Sequence, residues 1–103
     1  MPNISNTLKK RITSNFSIIP NKLTFDSNLS LKAKGLFTIL NARPDNWEFF
    51  LDEITSNSTD GKSAVKSGVK ELEKLGYLSR ERKRGDSGIF DGWRWILHFP
   101  PKK

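Results

Sequence analysis

The stretch "DGKSAVKSGVKELEKLGYL", Asp60 to Leu78, admits two incompatible readings. Its Gly61-Lys62-Ser63 triplet is the ending of a nucleotide-binding P-loop, whereas the whole stretch has the periodicity of an amphipathic helix. A P-loop needs a further glycine five residues before its Gly-Lys pair, so that backbone N–H groups can wrap the phosphates, and that position is Ser56. No buried parallel strand leads into the segment, and the chain has no room for the rest of a doubly wound nucleotide domain. The helical reading is the better supported. At about 100° per residue, Ala64, Val65, Gly68, Val69, Leu72 and Leu75 gather on one side. Lys62, Lys66 and Lys70 form a row on the other, with Ser63 and Ser67 beside them. Asp60 is the expected N-cap, and Gly76 the left-handed residue that ends the helix.

Upstream, Ser30 is expected to cap a helix running to about Asn41, because Leu29, Ala33, Leu36, Phe37 and Leu40 fall on one apolar stripe. Gly35 inside it costs about 1 kcal/mol relative to Ala, which points to a close helix contact there. Pro44, Asp45 and Asn46 end that helix in a turn. "WEFF" reads as a short extended segment, followed by a second helix from Leu51 to Thr55 or Ser56 with Asp52 and Glu53 in its first turn. Beyond Gly76, "YLSRERKR" and "WRWILHF" read as two strands joined by "GDSGIFDG", with "WEFF" available as a third. Trp93, Trp95, Leu97 and Phe99 alternate onto one face of the last strand; Arg94, Ile96 and His98 point the other way. Residues 1–14, which include Lys9, Lys10 and Arg11, form a flexible basic arm leading into the extended "NFSIIP". Residues 15–100 then make one domain, and 101–103 a short basic tail.

A length of 103 residues suits a single core, and 35% hydrophobic with 11% aromatic content supplies the apolar material for one. The net charge of +7 biases the partner toward a polyanion: nucleic acid first, an acidic protein or anionic lipid second. The absence of Cys excludes disulfides, thiolate zinc sites and Cys nucleophiles. With no apolar run of membrane-spanning length and no signal-peptide pattern, a cytoplasmic protein without a membrane partner is expected. His98 has no second His or Cys to complete a metal site, and Asp52, Glu53, Asp86 and Asp91 lack a nucleophile and base to serve. No enzyme activity, metal or cofactor is therefore expected.

The stretch from about Phe16 to Phe99 resembles the winged helix-turn-helix domains at the N-termini of phage, plasmid and Gram-positive replication-initiation and replisome-organiser (DnaD-like) proteins, and of related phage regulators. The resemblance rests on "FSIIPNKL", "LSLKAKGLFTIL", "PDNWEF", "TDGKSAVKSGVKELEKLGYL" and "GIFDGWRW", the fourth being the most specific. It implies an α+β fold of three helices plus a C-terminal two- to three-stranded β-hairpin wing. It also implies duplex DNA binding, with the third helix in the major groove and the wing at the neighbouring backbone or minor groove. The sequence departs from the pattern at Phe50, where a Ser or Thr cap is usual. It also departs at its "PPKK" ending, which lacks the helicase-loading or oligomerisation domain of longer initiators. An excised DNA-binding domain and a small stand-alone protein are both compatible with that ending.

Lys62, Lys66 and Lys70 are the leading DNA-contact candidates, with Thr59, Ser63 and Ser67 able to donate to phosphates or base edges. Lys reads guanine less well than Arg, and no Asn or Gln on this face reads adenine, so sequence specificity is expected to be modest. The same row also suits an ordinary solvated helix face. Arg80, Arg82, Lys83 and Arg84 on the first strand suit phosphate or minor-groove contacts, and equally suit an edge strand charged against aggregation. Lys32 and Lys34 lie in a first helical turn, where the dipole disfavours cations, so an external phosphate would rationalise them. Trp47, Trp93 and Trp95 suit base stacking or core packing, and the alternation with Leu97 and Phe99 favours the core. The expected function is duplex DNA binding in phage or plasmid replication initiation. The alternatives are a phage-type transcriptional regulator, and an inhibitor or adaptor that binds an acidic host protein. Replication proteins are further expected partners; the DNA site and the oligomeric state do not follow from the sequence.

Overall fold

Four helices followed by a two-stranded antiparallel hairpin make an α+β arrangement among the residues that the computed structural model describes: 5–12, 15–84, 88 and 90–102, with backbone alone at Arg84, Phe90 and Asp91. Residues 5–12 of the basic arm are exposed and belong to no helix or strand.

The first helix, α1 (Asn21–Thr24), has no counterpart in the sequence expectation, which places an extended segment before Pro20 and nothing regular after it. Pro20 precedes α1, and its carbonyl accepts from the Leu23 and Thr24 N–H groups at 3.1 and 3.2 Å. A single turn is too short to show periodicity; what anchors this one is Leu23, 1% exposed, inserted into the core. Among the described residues the helix count is thus four, not three.

α2 (Leu31–Asn41) begins where expected, with the Ser30 hydroxyl accepting from the Ala33 N–H at 3.2 Å. α3 (Leu51–Ser56) follows an N-cap, Phe50, that makes no side-chain bond. Buried Ile54 anchors it, and Asp52 and Glu53 complement its dipole. α4 (Lys62–Lys74) is capped by Gly61, not Asp60. The chain is extended at Gly61, whose carbonyl receives the Ala64 and Val65 N–H groups at 3.1 and 3.3 Å, and Asp60 stands one residue too early to serve. At the other end, Tyr77 N–H bonds the Leu72 carbonyl at 2.9 Å and Gly76 N–H bonds that of Glu73 at 3.2 Å. With Gly76 at φ +85°, this is a Schellman ending.

The sequence expectation of a close contact at Gly35 is overturned. Gly35 is exposed, and a Cβ added there would meet nothing within 4 Å. The close approach of α2 and α4 is at Gly68, where a Cβ would stand 3.2 Å from Leu36 Cδ2 and 3.6 Å from the Ala33 Cα. Around this crossing Leu29, Ala33, Leu36, Phe37, Val65, Val69 and Leu72 form the core, closed by Leu23, Ile54, Tyr77 and Leu78. Glu71 of α4 joins the helices a second time, accepting from the Ser30 N–H at 2.9 Å and the Ser30 hydroxyl at 2.8 Å.

β1 (Leu78–Arg84) pairs with β2 (Phe90–Leu97) in the register Leu78↔Leu97, Arg80↔Trp95 and Arg82↔Trp93, with an irregularity between Arg82 and Arg84. β2 starts before the "WRW" of the expected strand, so the turn is shorter than "GDSGIFDG"; residues 85–87 and 89 of it lie outside the described part. "WEFF" is not a third strand: the sheet has two strands among the described residues. It meets the hairpin through rings instead. Trp47 stacks on Phe49 with centroids 4.9 Å apart, and Phe49 stands edge-on to Trp95 at 5.1 Å.

Candidate nucleic-acid interface

With Val65, Gly68, Val69 and Leu72 of α4 turned into the core, helical geometry sends Ser63, Lys66, Ser67 and Lys70 outward. Lys66, Lys70 and Ser63 are exposed and Ser67 is half-buried; Thr59 is exposed in the loop before the helix. Lys62 opens α4, with its Nζ 2.8 Å from Asp52 Oδ1 of α3. That hydrogen bond and the charge behind it hold the Asp52 carboxyl below its ordinary range. Lys66 and Lys70 have no ion pair among the described residues. Within the row, these two carry charge that no acid offsets.

Lys66, Lys70 and Glu73 are spaced i, i+4 and i+7 and so share one strip of α4. Glu73 holds the Arg80 guanidinium by a two-pronged bond, at 3.0 Å from Nε and 3.1 Å from Nη2. The strip therefore continues from the helix onto β1. Directly paired residues of an antiparallel ladder share a face, so Arg80 and Arg82 project beside Trp95 and Trp93. The Arg80 guanidinium lies 5.5 Å from the Trp95 ring and 5.8 Å from that of Trp93; Arg82 lies 6.0 Å from Trp93.

Lys83 belongs to the reverse face and is half-buried. On that face Glu81 pairs with Arg94 at 2.8 Å, and the Ser79 hydroxyl meets His98 Nε2 at 2.7 Å. The Arg84 side chain lies outside the described part. The basic residues of β1 thus divide between two faces.

Lys32 is separate from this strip. Its Nζ is 3.2 Å from Glu71, which supplies from inside the protein the anion that its helical position calls for. Glu71 is held below the usual carboxylate range first by the Ser30 N–H, then by the Ser30 hydroxyl, and further by Lys32. Lys34 is half-buried on α2.

One residue absent from the sequence reading matters at this site, and one weighed there between base stacking and the core lies elsewhere than expected. Arg43 lies 4.6 Å over the Trp47 ring and donates to Asn57 at 2.8 Å, tying the turn after α2 to the loop before α4. Trp93, expected in the core, is 50% exposed, and Phe99 is 45% exposed. Alternation assigns Trp93 to the correct face without saying how far the core runs along the strand. Trp95 is covered by Phe49, whereas Trp93, two residues nearer the turn, lies past that cover.

Among the described residues, no helix is long and apolar enough to cross a membrane. No protein-family model, curated protein or solved structure matches the chain.

Proposed function

We propose that this protein is a DNA-binding module of the winged-helix type, with α4 laid in the major groove of duplex DNA and the β1–β2 hairpin acting as the wing against the adjacent backbone. The carrying observation is the strip in which exposed Lys66 and Lys70 on α4 run through the Glu73–Arg80 clamp to Arg82 on the hairpin. One duplex can meet both elements at once because the clamp sets the angle between them. The net charge of +7 supports a polyanionic partner. A place in phage or plasmid replication initiation is the part of the reading carried by the sequence resemblance.

Phosphate contacts dominate this mode of binding, which makes it salt-dependent. If about six phosphates are neutralised, log affinity falls against log salt with a slope near −5. Mobility shift across a salt series tests this. Lys66→Ala should weaken random and cognate duplex alike and lower the slope by about one. Absence of saturable duplex binding at low salt would refute the proposal and favour an acidic protein as the partner of the same strip.

A further inference from the structure

The contacts proposed for α4 and the hairpin leave one cationic segment unused, the arm that carries Lys9, Lys10 and Arg11. Residues 5–12 are exposed and adopt no helix or strand, and none of the three cations has an ion pair among the described residues. No acid precedes Asp26 in the chain, so neighbours in sequence offer no counter-charge either. Leu8 and Ile12, which bracket the cations, are exposed as well. Cations interleaved with apolar side chains on a slender, irregular backbone suit the minor groove of DNA. That groove is about 6 Å wide, attracts Lys and Arg, and accepts apolar wedges at its base steps.

The fold sets where the arm starts. At the end of α2, the Asn41 side-chain amide donates to the Ile18 carbonyl at 2.8 Å, and Ile19 packs against the core. α2 runs counter to α4: Ser30 at its start is bonded to Glu71 late in α4, and Arg43 just past its end reaches Asn57 ahead of α4. The root of the arm thus stands toward the N-terminal end of α4, whereas the hairpin is clamped to the C-terminal end through Glu73 and Arg80. A major groove has a minor groove on either side, about half of a roughly 34 Å helical turn away. The chain from Arg11 to Ile18 spans up to about 25 Å when extended, enough to reach the groove that the hairpin leaves open. An acidic protein surface would also attract the three cations. A duplex seated on α4 brings phosphates within the arm's reach and takes Leu8 and Ile12 too, so DNA accounts for more of the segment.

We infer that the arm is a second DNA contact: Arg11 enters the minor groove beside the major groove held by α4, on the side away from the hairpin, with Lys9 and Lys10 on the phosphates that border it. The inference rests on the duplex-binding reading. A·T tracts narrow the minor groove and strengthen its negative potential, whereas G·C pairs place an amino group in it. The arm therefore adds a preference, read in the minor groove alone, for pairs that lack that amino group.

The test compares the full chain with the triple variant Lys9→Ala, Lys10→Ala, Arg11→Ala by fluorescence anisotropy over a salt series. Two duplexes of equal length are used, one rich in G·C pairs and one with inosine in place of every guanine, which removes the minor-groove amino group and keeps the major-groove pattern. The unaltered chain should bind the inosine duplex several-fold more tightly. The triple variant should lose that preference and show a salt slope shallower by about 2.7, three contacts at about 0.9 each. Its melting temperature should not move, because the arm is exposed. A triple variant with the affinity and slope of the unaltered chain overturns the inference and leaves the α4 reading standing. Equal affinity of the unaltered chain for the two duplexes overturns the placement in the minor groove. If the triple variant loses binding while Lys66→Glu combined with Lys70→Glu retains it, the α4 reading falls and the arm site stands. Should the unaltered chain bind neither duplex, both fall, and retention on polyglutamate that the triple variant loses then assigns the arm to an acidic protein.

Discussion

Tyr77 is 4% exposed, its ring edge-on to Phe37, yet its hydroxyl donates to Asp26 Oδ2 at 2.7 Å. That bond, helped by the Asn28 N–H, holds Asp26 below its ordinary value of 3.8. The same bond, together with burial, pushes Tyr77 from 10.0 up to about 12. The two shifts act at opposite ends of the pH scale. Asp26 is depressed in the folded state, so its contribution to stability is complete above its unfolded value and is lost as pH falls through the folded one. Asp52 and Glu71, also depressed, add to that acid limb. Tyr77 is raised, so its contribution is complete below 10.0 and is lost as pH climbs toward about 12. Tyr77→Phe should therefore lower the melting temperature near neutrality and make both limbs shallower in a pH series of thermal melts. Limbs identical to those of the unaltered protein would show that the bond is not made in solution. Gly76 is the other residue on which the local geometry turns. It sits at φ +85°, with its carbonyl accepting from the Lys102 N–H at 2.7 Å, and a Cβ there would run into the Lys102 carbonyl. Gly76→Val should cost about 2 kcal/mol or more in urea unfolding.

At the scale of elements, the two glycines of the α2–α4 pair have opposite roles. Gly35 is exposed in mid-helix with open space around its missing side chain, so it contributes backbone freedom to the unfolded chain and no contact to the folded one. Gly35→Ala should raise stability by about 0.5–1 kcal/mol. Gly68 is buried where α4 rests on Leu36 and the Ala33 backbone, and Gly68→Val should lower stability by about 1–3 kcal/mol by forcing the helices apart. Chemical denaturation of both variants checks the pair. If the signs were reversed, the helices would cross at Gly35, as the sequence alone suggests. The α3 helix shows the complementary case. Its cap position is occupied by exposed Phe50, which makes no capping bond, and the helix stands through burial of Ile54.

Across the whole molecule, the basic residues fall into two groups that behave differently when reversed. Lys66 and Lys70 are exposed and support no other part of the fold, whereas Arg80 is clamped by Glu73 and lies over two tryptophans. Under the proposed function, Lys66→Glu combined with Lys70→Glu should abolish duplex binding and leave the melting temperature nearly unchanged, because surface charges contribute little to stability. Arg80→Glu should reduce both, since it sets a carboxylate against Glu73 and loosens the hairpin from α4. Mobility shift alongside thermal melting separates the two groups. A folded Lys66/Lys70 reversal that still binds with full affinity would move the interface away from α4, with the exposed arm at Lys9 to Arg11 the next surface to test.

Local sequence pattern determined three of the four helices among the described residues, because each signal depends on neighbours within a few positions: periodicity gave α2 and α4, the acidic first turn gave α3, Gly76 gave the end of α4, and alternation gave which residues of the hairpin share a face. It was also enough to put Lys66 and Lys70 outside, opposite Val65, Val69 and Leu72. Tertiary structure decided what a local pattern does not encode. The single turn of α1 exists because Leu23 finds a hole in the core, and the close helix contact is at Gly68 because of how α2 crosses α4. Glu71 neutralises Lys32 from 39 positions along the chain, a spacing no local rule connects. Trp93 is half in water because the cover supplied by Phe49 stops at Trp95. Repeats of 3.6 and 2 assign a direction to each side chain; depth and pairing depend on what the rest of the chain brings alongside.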